Sequence, residues 1–179
     1  MGAQATDAEL VARAQAGSDA AFGLLVGRHQ AAVRGFLRRT LGGGWAEADD
    51  LAQETFLAAW GSLRTLKDAD GMRAWLCGIA WRRAQDRIRS RMRGARREAV
   101  WLETIDLPAG ISAEERIALA TALEELGPDV RACVSLCLAE DWTHAEASDA
   151  LGLPLGTVKS HVQRGRARLL KALGGSDDA

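Results

Sequence analysis

Residue types that commonly carry out covalent chemistry are few and scattered in this 179-residue sequence. The three histidines, His29, His144 and His161, lie far apart along the chain. No serine–histidine–aspartate order, metal-ligand pair or nucleotide-binding fingerprint accompanies them. The sequence therefore predicts no catalytic residue, no metal site and no cofactor, and a small enzyme remains only an alternative.

The cysteines are Cys77, Cys133 and Cys137, and an odd number of them favours a reducing compartment over a disulfide framework. Cys133 and Cys137 are four residues apart, which places them on one face of a helix. Such a pair could bind a metal or oxidise together. With no further cysteine or histidine nearby, we favour their interpretation as small core residues.

Side chains suited to binding a ligand are concentrated near the C-terminus, on a helix predicted over residues 155–172. One face of this helix is apolar and should pack inward, with Val158, Val162, Gly165 and Leu169. The opposite face carries short hydroxyls near the helix N-terminus and cations further along: Thr157, Ser160, His161, Arg164 and Arg168. Short donors can approach phosphates closely and arginine can bind guanine in a bidentate pair, so this face predicts a DNA recognition helix.

The residues just before that helix predict how it is held in place. Thr143 and Glu146 form a capping box that begins a short helix, and Gly152 ends it. Two helices across a tight glycine-containing turn are typical of a helix-turn-helix.

Good helix formers dominate the rest of the chain, so we expect an all-α protein. The pattern predicts helices over residues 7–16, 18–41, 46–60, 72–92, 113–125, 128–139, 143–151 and 155–172. Residues 94–112 have no clear period and contain a proline and glycines. We therefore expect two small helical domains, at 7–93 and 113–173, joined by a flexible linker at 94–112.

Charge is strongly segregated, although the formal net charge is only −1. Residues 82–97 carry eight arginines and one aspartate, whereas residues 47–54 are acidic and 159–171 are basic again. Segregation of this kind is what attracts a polyanion to one part of a surface.

Two motifs resemble those of bacterial sigma factors of the extracytoplasmic-function group, which retain the second and fourth conserved regions of the larger family. The first runs from Asp49 to Trp60 (DDLAQETFLAAW) and is followed by WLCGIA at 75–80 and the arginine-rich helix end. The second is GTVKS at 156–160, followed by RGRAR at 164–168. The resemblance extends over nearly the whole chain, from about residue 10 to 173.

The resemblance implies a protein that binds core RNA polymerase, recognises minus-35 and minus-10 promoter elements and promotes strand opening. It implies that the first motif docks on the clamp helices of the largest polymerase subunit, through Asp49, Asp50, Leu51, Gln53, Glu54, Phe56 and Trp60. Polar and aromatic groups are common at interfaces, although Phe56 and Trp60 could equally be core residues.

The DNA contacts that the resemblance implies divide between the two domains. The loop after Trp60 and the cationic helix would capture the opened minus-10 strand, through Arg64, Leu66, Lys67, Arg82, Arg83, Arg87 and Arg89. The minus-35 element would be bound by Thr157, Lys159, Ser160, His161, Gln163, Arg164 and Arg168. Ala147 and Ala150 stand where the family usually has larger aliphatic residues, so we expect a thinner core around that helix.

Family members are commonly held inactive by an anti-sigma factor, which we therefore expect as a partner. No apolar run approaches the ~20 residues that span a bilayer, and residues 1–10 lack an apolar leader. We expect a soluble cytoplasmic protein without direct membrane insertion. The main alternative is a stand-alone helix-turn-helix regulator, which would leave residues 49–92 without a role.

Overall fold

The computed structural model describes residues 5–41, 45–93 and 112–174, and all of its regular elements are helical. Within these ranges eight α-helices follow one another: α1 (Asp7–Gln15), α2 (Asp19–Leu41), α3 (Trp45–Ser62), α4 (Met72–Arg93), α5 (Ala113–Glu125), α6 (Pro128–Val134), α7 (His144–Leu151) and α8 (Leu155–Ala172). A 3-10 turn at Leu63–Thr65 follows α3, and a π-helical turn at Ser135–Ala139 extends α6. The all-α prediction is confirmed, and the predicted helices agree with the observed ones to within a few residues.

Local side-chain chemistry sets where several helices begin and end. Thr6, Ser112 and Thr143 each accept a hydrogen bond from the backbone three residues on, and a glutamate at that position bonds back. These capping boxes satisfy donors that the first turn leaves unpaired. Gly152 ends α7 with φ 66°, in the left-handed region that glycine enters without a steric penalty.

The N-terminal half packs α2, α3 and α4 around one apolar core, with α1 against α2. Leu25, Leu51 and Leu76 are almost completely buried there. Trp81 of α4 meets Phe36 of α2 edge to face, with ring centroids 6.5 Å apart. This core fixes the direction in which the polar faces of α3 and α4 point.

The C-terminal half packs α6 closely against α8. A β-carbon on Gly165 of α8 would overlap the Cγ2 methyl of Val134, so only glycine permits this approach. Arg131 of α6 is buried and donates through Nη2 to the carbonyls of Glu124 (3.0 Å) and Leu126 (2.9 Å). Arg131 thereby supplies partners for carbonyls at the end of α5 that would otherwise be unpaired.

The two halves are docked on one another and share a continuous apolar core. Helix α6 and the π-helical turn contact α2, and α7 contacts α4. Ala132, Cys133 and Leu136 belong to the same buried cluster as Phe36 and Leu76. Of the predicted linker at 94–112, only Ser112 is among the described residues.

Among the described helices, none is both long enough and apolar enough to cross a membrane.

Candidate nucleic-acid interface

The helix-turn-helix consists of α7 and α8, joined by the turn at Gly152–Pro154. Ser148 Oγ donates to the carbonyl of Leu153 at 2.6 Å, which ties the turn to α7. Val158, Val162 and Gly165 are buried as predicted, and Leu169 packs against a second small core with Leu123 and Leu126. The register of α8 is therefore fixed by its apolar face, and its polar face points outward.

Most of the residues predicted to contact the minus-35 element lie on that outward face. Thr157 and His161 are half-buried, and the others are exposed: Lys159, Ser160, Gln163, Arg164 and Arg168. The Arg164 guanidinium lies over the preceding turn, with Nη2 2.7 Å from His161 Nδ1 and Nε donating to the Ser160 carbonyl at 3.3 Å. These contacts hold Arg164 along the helix, on the same surface as Ser160.

Arg168 differs from the other members of this set. Its Nη1 donates to the carbonyl of Glu125 at the end of α5, at 3.2 Å. A side chain bonded to a helix end is partly committed to holding α5 against α8. The sequence pattern placed Arg168 on the correct face but gave no sign of this contact, because Glu125 is 43 residues away.

The residues predicted to contact the minus-10 strand fall into a loop group and a helix group. In the loop, Arg64 and Lys67 are exposed, whereas the side chain of Leu66 is buried. Gln15 Nε2 donates to the carbonyls of Leu63 (3.0 Å) and Leu66 (3.2 Å), which fastens this loop to α1. In this loop the side chains of Arg64 and Lys67 face solvent, whereas the Leu66 side chain packs into the core.

The helix group lies on α4, and acidic residues of α3 partly neutralise it. Arg83 Nη1 bonds Glu54 Oε2 at 2.9 Å, and Arg87 lies 3.8 Å from Glu47 and 3.9 Å from Glu54. Arg89 instead pairs with Asp86 on its own helix at 2.7 Å. Arg82 is exposed. The arginines of α4 therefore lie directly beside the acidic residues of α3, and Glu54 pairs with two of them.

The residues predicted to bind polymerase are divided by α3 between the core and the surface. Leu51 and Phe56 are buried, Asp49 is half-buried, and Asp50, Gln53 and Glu54 are exposed. Asp49 Oδ1 lies 3.1 Å from Arg38 and 3.6 Å from Arg34, which joins α3 to α2. Buried core positions and exposed surface positions are therefore both present in this one motif.

An apolar groove of about 460 Å³ lies between α2 and α3 on the exposed side of that motif. Trp60 forms one wall and packs against Phe22, with ring centroids 4.8 Å apart and ring planes inclined at 47°. Leu57 is 72% exposed and Gln53 lines the same groove. Its rim is polar, with Asp19, Gln30 and Arg34. An apolar floor with a polar rim is the usual arrangement of a protein-binding surface.

The sequence analysis missed Leu57, Phe22 and Arg34 as members of this groove. Leu57 lies four residues after Gln53 and one turn before Trp60, so its position on the same face was readable from helical spacing. Phe22 and Arg34 belong to a different helix, and their proximity depends on how α2 packs against α3.

Two buried cysteines and one histidine among the described residues have clear structural surroundings. Burial raises the pKa of the Cys77 and Cys133 thiols to about 12, so both are protonated at neutral pH. His29 Nε2 lies 2.6 Å from Asp7 Oδ2 and links α2 to α1. Within residues 5–41, 45–93 and 112–174, no group of three or more histidine, cysteine or acidic residues could hold a metal ion.

Known families match both halves of the chain in the observed order. The Sigma-70 region 2 family matches residues 25–94, and the Sigma-70, region 4 family matches residues 116–169. The chain is 29% identical to the ECF RNA polymerase sigma-E factor of Haemophilus influenzae, over 93% of this chain and 94% of that one. It is 30% identical to the RNA polymerase sigma factor CnrH of Cupriavidus metallidurans, over 94% and 95% respectively.

Solved structures give the same result. The structure of CnrH in complex with the cytosolic domain of CnrY matches with a TM-score of 0.71 and 31% identity, covering 94% of this chain and 97% of that one. The sigma factor RpoE in complex with the anti-sigma factor NepR from Bartonella quintana also matches with a TM-score of 0.71, at 26% identity, covering 88% and 98%.

Proposed function

Because the chain belongs to the extracytoplasmic-function group of the sigma-70 family, we propose that it binds core RNA polymerase, directs it to bipartite promoters and promotes strand opening. The observation that carries this proposal is the exposed polar face of α8, which a helix-turn-helix presents beside a region 2 helical bundle. The chain itself performs no covalent chemistry, because its role is to recognise DNA and to position the polymerase. Acting on RNA polymerase places it in the cytoplasm.

The minus-35 element is recognised by α8. Lys159, Ser160 and Arg164 contact base edges in the major groove, with Gln163 at the margin of the same face. Thr157 and His161 contact phosphates near the helix N-terminus, where the helix dipole favours an anion. Arg168 adds a phosphate contact only by giving up its bond to the Glu125 carbonyl.

The minus-10 strand is bound by the cations of the loop and of α4. Arg64 and Lys67 contact the opened strand, while Arg82, Arg83, Arg87 and Arg89 contact backbone phosphates. Arg83 and Arg87 already have a carboxylate partner in Glu54, so phosphate competes with an existing pair. Leu66 supports the loop and reaches a base only if the loop rearranges.

Core polymerase docks on the groove between α2 and α3. Its clamp helices supply an apolar helical face that packs against Leu57, Phe56 and Trp60, while Gln53 and Asp50 bond at the edge. Leu51 and Asp49 contribute indirectly, by positioning α3. The buried Leu51 holds α3 on the core, and Asp49 forms an ion pair with Arg38 of α2. Burial of a large apolar residue such as Leu57, now in water, favours this association.

An anti-sigma factor is the second protein partner that we propose. The related CnrH and RpoE were each solved in complex with a second protein, CnrY and the anti-sigma factor NepR. A partner of this kind would compete with polymerase for the same exposed surfaces of region 2 and region 4.

Co-purification with core RNA polymerase tests the proposal. A tagged full-length chain is expected to retain the polymerase subunits in stoichiometric amounts, and a chain carrying Leu57→Asp to retain much less. A stand-alone helix-turn-helix regulator would bind DNA without the polymerase. Absence of stoichiometric polymerase subunits would therefore contradict the proposed function.

A further inference from the structure

Glu140 lies between the two halves of the chain and bonds two arginines of the N-terminal half. Arg39 of α2 contacts one carboxylate oxygen, Oε1, and Arg73 Nη2 of α4 donates to the other, Oε2, at 2.8 Å. Arg73 Nη2 also approaches the Glu140 carbonyl at 3.2 Å. We call Arg39, Arg73 and Glu140 the Glu140 ion cluster.

Two members of the cluster are much less accessible to water than an ordinary surface ion pair, whereas the side chain of Arg73 is 43% exposed. The side chains of Arg39 and Glu140 are only 12% and 19% exposed. Arg39 Nε donates to Ser135 Oγ at 2.8 Å, and the Arg73 guanidinium lies 5.0 Å from the centre of the Trp142 ring. Partners on several sides hold each charge in place, so removal of one member leaves a partly buried charge unpaired.

Three further contacts join the same two halves. Arg131 Nη1 approaches the Thr40 carbonyl at 3.4 Å, and the apolar cores are continuous. A β-carbon on Gly78 of α4 would lie 3.0 Å from the carbonyl oxygen of Ala150 on α7. The docking therefore combines apolar burial, a close backbone approach and a charge-specific contact.

This docked arrangement is too short to occupy both promoter elements at once. Elements centred near positions minus 35 and minus 10 are about 25 base pairs, or about 85 Å, apart along the duplex. A compact chain of this length has a radius of gyration of about 16 Å, so its diameter is roughly 40 Å. Helices α4 and α7, which belong to the two DNA-binding halves, are in direct contact.

We propose that the Glu140 ion cluster holds the free chain in a closed, autoinhibited arrangement that must open before a bipartite promoter is engaged. The proposal rests on the proposed function only for the consequence of opening. The closed arrangement itself is a property of the free chain. When the chain opens, contacts between α7 and α4 are replaced by contacts with polymerase and DNA. Because the cluster lowers the fraction of chains that are open, it lowers the apparent affinity of the chain for both partners.

Small-angle X-ray scattering of the free full-length chain tests the proposal through a charge swap. Glu140→Arg places three cations together and is expected to raise the radius of gyration from about 16 Å to above about 20 Å, as two compact halves separate. Combining it with Arg39→Glu and Arg73→Glu restores opposite charges and is expected to return the compact value. Asp149→Arg, which makes the same change of charge at an exposed acid on α7, is the matched control and should stay compact.

Gly78→Leu provides a second variant should Glu140→Arg lose helical circular dichroism. A β-carbon at this position already lies 3.0 Å from the Ala150 carbonyl oxygen, and leucine adds three more carbons there. Leucine favours the α4 helix itself but cannot fit beside α7, so the chain should keep its helix content and expand. Gly23→Leu is its control, because a β-carbon there meets nothing within 4 Å.

Equal radii of gyration for the wild type, the folded charge-reversal variant and Gly78→Leu would overturn the proposal. Equally, failure of the triple swap to restore compaction would show that the charges do not hold the halves together. Polymerase binding is measured separately. A chain that expands as expected but binds no polymerase supports the ion cluster and contradicts the proposed function.

Discussion

Gly78 on α4 lies so close to Ala150 on α7 that an added β-carbon would be 3.0 Å from the Ala150 carbonyl oxygen. Ala147 and Ala150, which the sequence analysis expected to leave a thin core, are both buried. Their small size lets α7 approach the backbone of α4.

Arg164→Ala should relax minus-35 selection and leave polymerase binding unchanged. Loss of a bidentate base contact costs about 1–3 kcal/mol of discrimination at the contacted base pair, or about 5–150-fold. Transcription from promoters mutated at each minus-35 position measures this. Arg166→Ala is the control, since Arg166 lies on a different face of the same helix. An equal loss of polymerase binding and promoter selection would refute the proposed division of labour.

Leu57→Asp should weaken binding to core polymerase at least tenfold without unfolding the chain. Leu57 is 72% exposed, so the charge costs little in the free protein, but docking would bury it. Titration with core enzyme measures the affinity, and thermal unfolding checks the fold. Leu24→Asp is matched in type and lies outside the groove, at 55% exposure. If Leu24→Asp weakened binding as strongly, the groove would not be the docking site.

Gly165→Ala should lower the free energy of unfolding by about 1–3 kcal/mol, the usual cost of overpacking a core. The added methyl overlaps Val134, so α6 and α8 must separate. Chemical denaturation of the full chain measures the change. Gly156→Ala, where a β-carbon meets nothing within 4 Å, should be neutral or slightly stabilising. Indistinguishable stability of the two variants would exclude the close α6–α8 approach.

The packing of α1 on α2 should weaken in acid because of Asp7. Burial alone raises the Asp7 pKa, but hydrogen bonds from Arg28 and His29 outweigh it and hold that pKa below its usual value. The folded pKa therefore lies below the unfolded one. The stabilisation is complete above the unfolded pKa, near 4, and is lost as the pH falls through the folded pKa.

Asp7→Asn should accordingly cost up to about 1 kcal/mol at pH 7, as partly exposed ion pairs do. The difference from the wild type should shrink as the pH falls below about 4. Urea denaturation of both chains across this range measures the difference, and Asp149→Asn controls for loss of one acid. A difference that stayed constant with pH would show that the carboxylate charge of Asp7 is not responsible.

Sequence reasoning predicted the elements well where the determining contacts are local. The capping box of Thr143 and Glu146, the glycine that ends α7 and the apolar face of α8 all lie within about one helical turn of the residues they position. These features are sufficient to define the helix-turn-helix and to indicate which face of α8 is exposed.

What the sequence did not predict depends on contacts between distant residues. Arg39 and Glu140 are 101 residues apart, and Gln15 lies 51 residues from Leu66, whose loop it fastens. Helical periodicity places these residues on a face but does not say which other helix that face meets. For the same reason, the pairing of Glu54 with Arg83 could not be foreseen from two separate charge runs.

Transcription in vitro with purified core polymerase and a randomised promoter library tests the central claim most directly. Addition of the chain is expected to produce transcripts from templates that share two separated motifs, one near position minus 35 and one near minus 10. Transcripts that start at random positions, or in equal amounts without the chain, would contradict its assignment as a promoter-specificity factor.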